Sequence, residues 1–192
     1  MSKTALVAKI KKDMVENHMS LSGDYLVFDK KSNLDYQILT NFTLRELLTH
    51  NPVSHTKLNL NLLASLDLVR EAFGKPIVIR ASYQSPEYHL LSFGTTDSQL
   101  FTKGDALSLG VEPDEVDNLL TAVKSTFTPG ELGVYKWGLI MGLSKEPREW
   151  DTRADTSPTQ TIKNFISNDK MKNYLIIGAA LVAGWFFFLR KK

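Results

Sequence analysis

From Tyr174 to Leu189 the chain reads Tyr-Leu-Ile-Ile-Gly-Ala-Ala-Leu-Val-Ala-Gly-Trp-Phe-Phe-Phe-Leu without a charge, and Arg190-Lys191-Lys192 follow directly. A helix on the surface of a globular domain carries a polar face, so a run that is apolar all round belongs in lipid or in a wholly apolar interior. At about 1.5 Å per residue the run reaches roughly 24 Å, somewhat short of a hydrocarbon core of about 30 Å. Lys170 and Lys172 on one side and the basic triplet on the other can close that gap by snorkelling. A single membrane-spanning helix is therefore expected over 173–192, with Tyr174, Leu175, Ile176, Ile177, Leu181, Val182, Trp185, Phe186, Phe187, Phe188 and Leu189 in contact with lipid. A buried core helix fits less well, because three adjacent cations close the run. The positive-inside tendency puts Arg190-Lys191-Lys192 on the cytoplasmic side of a cell membrane, or on the genome side of a membrane within a virion. Ala180 and Gly184 form a small-xxx-small pair that permits close packing of a second helix.

The rest of the chain has the composition of a folded domain. Of its 192 residues 43% are apolar and 23% charged, enough for one sizeable core. A net charge of +2 does not by itself suggest nucleic acid, which would need basic residues clustered on one surface, so any such contact is expected only through the basic tail. With no cysteine, disulfides, thiol catalysis and thiolate zinc sites are all excluded. Met1 to Ser20 lacks the continuous apolar region of a secretory signal. Leu6, Ile10 and Met14 recur there at helical spacing among Lys3, Lys9, Lys11 and Lys12. That pattern suits a short amphipathic helix lying on lipid or on a partner protein, or else a frayed arm with one docked turn.

Between the two ends the elements follow in order. Tyr25 to Asp29 and Tyr36 to Thr40 flank Lys30-Lys31-Ser32-Asn33, which suggests a hairpin within an N-terminal segment, 1–41. Thr43 with Glu46 makes a capping box, and Phe42 with Leu47 a hydrophobic staple, so a helix is expected to start there. Leu58, Leu62, Leu66, Val69 and Phe73 form a helical stripe that stops at Gly74-Lys75-Pro76. Strands are expected at Ile77 to Ala81, Asp105 to Leu109 and Val134 to Leu143, and a helix from about Pro113 to Phe127. The sum is an α+β domain over 42–150, a small antiparallel sheet flanked by helices. Asp151 to Asn173 is polar and holds Pro158, so 151–172 reads as a linker leading to the transmembrane helix.

Three stretches of the domain carry chemistry. They are Ile77-Val78-Ile79-Arg80-Ala81-Ser82-Tyr83-Gln84-Ser85-Pro86-Glu87, then Ser98-Gln99-Leu100-Phe101-Thr102-Lys103-Gly104-Asp105-Ala106-Leu107-Ser108, then Val134-Tyr135-Lys136-Trp137-Gly138-Leu139-Ile140-Met141. Together with Phe-Thr-Leu-Arg-Glu-Leu at 42–47, they resemble the M15 family of zinc D-Ala-D-Ala carboxypeptidases and phage murein peptidases. In that family a strand ending in Ser-Gly-Tyr-Arg-Ser-Pro-Glu leads into Ser-Gln-His-x-x-Gly-x-Ala-x-Asp, and a Trp-(Val/Ile)-His-Val strand follows. The two histidines and the aspartate hold zinc and leave one position open for water. Aligned on Gly104 and Ala106, the resemblance puts Phe101 and Ser108 at the first His and the Asp, and Ile140 at the second His. Aligned on Ser98-Gln99, it puts Leu100 at the first His. Phe, Leu and Ile have no lone pair to offer, and a serine hydroxyl is a poor zinc ligand.

Other residues do not rebuild a site. His18, His50, His55 and His89 show no HxH or HxxxH spacing. His89 reads as a partly exposed helix histidine, and Asp105 and Glu87 as turn and early-helix carboxylates. No cofactor is expected. The former groove could still hydrogen-bond a peptide through Arg80, Ser82, Tyr83, Ser85 and Asp105, although turn formation explains each equally well.

The resemblance, with the apolar run, implies a non-catalytic pseudoenzyme: a structural protein of a membrane-containing bacteriophage. It would be fixed to the bilayer of the virion, or otherwise to a bacterial cell membrane, and would link capsid, vertex or spike proteins to lipid. The alternative is a membrane-tethered peptidoglycan peptidase, or a pseudo-peptidase that still binds peptidoglycan.

Overall fold

In a computed structural model, the structure describes residues 1–48, 55–93 and 100–154. Met1–Thr152 forms one compact unit. Helix α1 (Lys3–Asp13) starts where the Ser2 hydroxyl accepts the Ala5 N–H, and it ends with Lys11 and Lys12 near its negative pole. The helical spacing seen in the sequence is real, but its apolar face meets protein. Leu6 and Ile10 are fully buried in the common core, and α1 packs on helix α3 (Leu60–Phe73). That placement replaces both the lipid-surface helix and the frayed arm. The Met1 ammonium group, 2.9 Å from the fully buried Asp67, reinforces the contact; the N–H and hydroxyl of Thr40 donate to the same carboxylate.

A first sheet is an antiparallel meander of β1 (Ser20–Ser22), β2 (Tyr25–Phe28) and β3 (Thr56–Asn59). The hairpin expected between Tyr25–Asp29 and Tyr36–Thr40 does not form. The tighter Gly23-Asp24 turn pairs β2 with β1 instead, as two-residue turns with a leading glycine favour. Asp29 and Ser32 do close a turn, but Ile38 and Leu39 are drawn fully into the core rather than into a ladder.

The capping box is present: Thr43 and Glu46 satisfy each other's backbone N–H groups at the start of α2 (Leu44–Leu47). Phe42 and Leu47 are both buried there. The leucine stripe is split. Leu58 belongs to β3, and the chain switches from strand to helix at Asn59, whose side chain accepts the Asn61 N–H as an N-cap. Leu62, Leu66 and Val69 continue the stripe into the core, and Gly74 ends α3 by donating its N–H to Arg70.

The second sheet contains β4 (Val78–Ala81), β5 (Ala106–Gly110), β6 (Glu131–Tyr135), β7 (Gly138–Gly142) and β8 (Arg148–Asp151), in the order β4-β5-β7-β6-β8. It is antiparallel except for the β6–β8 pair, which is parallel. The single strand expected over Val134–Leu143 is really the β6–β7 hairpin, turning at Lys136-Trp137. Helix α4 (Pro86–Phe93) follows β4, and a 3-10 turn at Pro113–Glu115 leads into α5 (Val116–Thr126). One face of the sheet presents Leu107, Leu109, Leu132, Val134, Leu139 and Met141, none more than 3% exposed. Helix α5 packs on β6 and β7 against that face, with α3 packed on α5. The result is an α+β domain of small sheets and helices.

Candidate functional site

The other face of the second sheet sets glycine, alanine and serine among a few large side chains. Direct cross-strand partners put Ala106, Gly142, Glu131 and Arg148 in one row, Ala81, Ser108, Ile140, Gly133 and Trp150 in the next, and Val78, Gly110, Gly138 and Tyr135 in a third. Since direct partners share a face, these rows form a floor with few side chains of its own. Neighbouring chains fill part of it. A side chain at Gly133 would overlap the Trp150 indole, one at Gly142 would press on Leu100, and one at Gly110 would strike Arg80. Arg80 lies over the Trp137 ring at 5.2 Å, and Trp137 stacks on Tyr135 at 4.9 Å. The Trp150 Nε1–H donates to the Tyr135 hydroxyl at 2.9 Å.

A groove of about 810 Å³ remains between the Leu100–Phe101 turn and Trp150. Ile140 and Leu143 give it an apolar lining, and Lys103, Asp105, Glu131, Lys145, Glu146 and Arg148 give it a charged one. Its size is within the range of about 300–1,000 Å³ common for small-ligand sites.

Two of the three positions that the M15 resemblance assigns to metal ligands line this groove, and the third is paired with one of them. Phe101 and Ile140 both line the groove, and Ser108, 5% exposed, is the direct cross-strand partner of Ile140. Leu100, the stand-in under the other alignment, lines it too. A phenyl ring, an aliphatic chain and one hydroxyl do not make a donor set for zinc. Among the described residues, no three His, Asp or Glu side chains gather as a metal site would require.

Of the five residues assigned to a peptide-binding groove, only Asp105 lines it. Its carboxylate also accepts the Tyr25 hydroxyl at 3.1 and 3.2 Å and the Asn59 amide at 2.9 Å, which ties the start of β5 to β2 and β3. Burial, and then the Asp105 charge, push the Tyr25 hydroxyl above its usual pKa, so it stays a donor to the carboxylate. Gly104 lets this happen. It adopts a positive φ of 81°, and any side chain there would overlap the Lys57 carbonyl oxygen. Ser82 is fully buried and donates to the Leu47 carbonyl at 2.7 Å. Tyr83 is 7% exposed and stacks on His55 at 5.8 Å; burial, with Glu87 nearby, raises the pKa of its hydroxyl. Ser85 accepts the Tyr88 N–H at the start of α4, and Arg80 is committed to Trp137. After β4 the chain turns inward beneath α2, which takes Ser82 and Tyr83 away from the open face.

His89 is buried on α4, its N–H bonded to the Ser85 carbonyl as in a regular helix. His50, Ser98 and Gln99 lie outside the described residues. So do Pro158 and the whole apolar run, Tyr174 to Leu189. Among the described residues, no helix is long and apolar enough to cross a membrane.

The sequence reading missed Trp150, Glu131, Lys145 and Arg148. The signal was present in Arg148 and Trp150, which alternate as strand residues do, and in Gly133 across from the tryptophan. No protein-family model, no curated protein and no solved structure matches the chain.

Proposed function

We propose that the chain is a non-catalytic, M15-like binding scaffold. It is held at a bilayer by Tyr174 to Leu189 and serves as a structural protein of a membrane-containing phage virion, linking capsid, vertex or spike proteins to lipid. One observation carries the non-catalytic part: Phe101 and Ile140 line the same groove, beside Ser108, where the resemblance calls for His, His and Asp. An amide hydrolase of this type needs a metal to polarise the carbonyl and lower the pKa of the attacking water. Among the described residues, the groove's carboxylates, Asp105, Glu131 and Glu146, are not joined in a group of three that could hold that metal. A well-formed concave surface rimmed by charge can still recognise a partner. The membrane and virion parts rest on the apolar run, its basic flank and the recurrence of M15 domains in phages.

The test uses the full-length chain loaded with excess zinc and then desalted. Less than a tenth of an equivalent of zinc, and no release of peptide from purified peptidoglycan, are expected. One zinc per chain with hydrolysis would establish the tethered peptidase instead. For the anchor, removing 173–192 should release a particle-bound or detergent-requiring protein into buffer. A full-length chain that is monodisperse without detergent would rule out the spanning helix.

A further inference from the structure

The geometry points to a saccharide ligand for the groove, with an uncharged sugar ring stacked on Trp150; this rests on the groove being a binding surface. The indole lies against Gly133, in the space a side chain there would take, and Trp150 also lines the groove. Trp150 is half-buried, and its indole is held in place: its Nε1–H is bonded to the Tyr135 hydroxyl, and Tyr135 is stacked on Trp137. The platform is therefore fixed before a ligand arrives, which lowers the ordering cost of binding. An aromatic face is electron-rich and attracts the weakly positive C–H edges that a pyranose presents on its apolar side.

The charges select against an ionic ligand. Lys103, Lys145 and Arg148 are matched by Asp105, Glu131 and Glu146 around the same groove, so an anion or a cation meets as much repulsion as attraction. A hydroxyl group both donates and accepts. It can give its proton to a carboxylate and take one from an ammonium or guanidinium group, and a sugar carries several around its rim. Ile140, on the floor, suits the apolar underside of a second ring.

The experiment is a titration of the full-length chain, labelled with 15N-tryptophan, with maltotetraose, cellotetraose and chitotetraose in turn, and with an uncharged alanine tetrapeptide as comparison. At least one sugar is expected to shift the Trp150 indole signal saturably at millimolar concentration or below and to leave that of Trp137 nearly unmoved. Trp150→Ala should weaken binding at least tenfold. Trp150→Tyr, which keeps a ring on the platform, should restore part of it. Tyr135→Phe keeps the indole but removes its anchor, and should weaken binding about threefold without loss of fold. No saturable shift with any sugar, a shift with the peptide only, or sugar binding unaffected by Trp150→Ala in a folded variant would each overturn the assignment. These outcomes leave the zinc test of the non-catalytic reading untouched, so the two can fail separately.

Discussion

The two faces of the five-stranded sheet come from the same strands and differ in almost every side chain. Leu139 is fully buried under the helices, whereas Ile140, the next residue, is half-buried and lines the groove. On the inner face Leu107, Leu109 and Met141 pack to zero exposure. On the outer face Gly110, Gly133, Gly138 and Gly142 leave the backbone bare, and the protein lays Arg80, Trp150 and Leu100 back over it. The inner face maximises buried apolar area, which drives folding. The outer face gives up that area and keeps a groove.

Substitutions on adjacent residues should expose this difference. Leu139→Ala should cost about 3 kcal/mol, as expected for a large-to-small change in a closed core. Ile140→Ala should cost about 1 kcal/mol or less, since its side chain is only partly removed from water. Urea unfolding of both variants checks the pair, and equal costs would mean that the outer face is a second core. Asp105→Ala comes next. It is the groove residue that also joins the two sheets, and its loss leaves the Tyr25 hydroxyl and the Asn59 amide without their acceptor, at about 2 kcal/mol.

Tyr25→Phe removes one of those two donors, and about 1 kcal/mol is expected. It also has a pH signature. The folded-state pKa of Tyr25 is raised by burial and by Asp105, so the folded chain keeps a proton that the unfolded chain releases near pH 10. Stability is then full below about pH 10 and falls as pH climbs through the raised folded value. Tyr36, whose hydroxyl donates to Asp13 at 2.6 Å, is raised in the same direction by burial and by that contact. Tyr25→Phe should flatten the alkaline loss in part, and the double variant Tyr25→Phe, Tyr36→Phe should flatten it further. Thermal melts between pH 8 and 11 measure this. The smallest effect belongs to the rim: Glu131→Gln should shift stability by less than about 0.5 kcal/mol.

Signals set by neighbours in sequence were legible. The Thr43–Glu46 capping box and the Gly74 stop of α3 are local devices and stand where the chain implies, and the helix expected from about Pro113 to Phe127 is α5 preceded by a 3-10 turn. What failed was pairing. Tyr36–Thr40 looked like a partner for β2 because it alternates, but Ile38 and Leu39 had a core to enter and the Gly23-Asp24 turn offered a shorter closure. Strand β8 was hidden because its residues are polar and its parallel partner β6 is separated from it by β7. Trp150 was hidden with it. The resemblance assigned Phe101 and Ser108 from the spacing of Gly104 and Ala106 and Ile140 from a separate strand; Phe101 and Ile140 line one groove, and Ser108 is the cross-strand partner of Ile140. The same resemblance misplaced Ser82 and Tyr83, whose inward turn depends on α2, and no sequence-local feature announces that contact.

The most direct test of the account restores the donors. In the triple variant Phe101→His, Ser108→Asp, Ile140→His, with the fold checked by circular dichroism, the full-length chain should take up close to one zinc where the parent takes up none. If the folded triple variant binds no more zinc than the parent, the three positions do not form the metal geometry of an M15 groove, and the central claim is wrong.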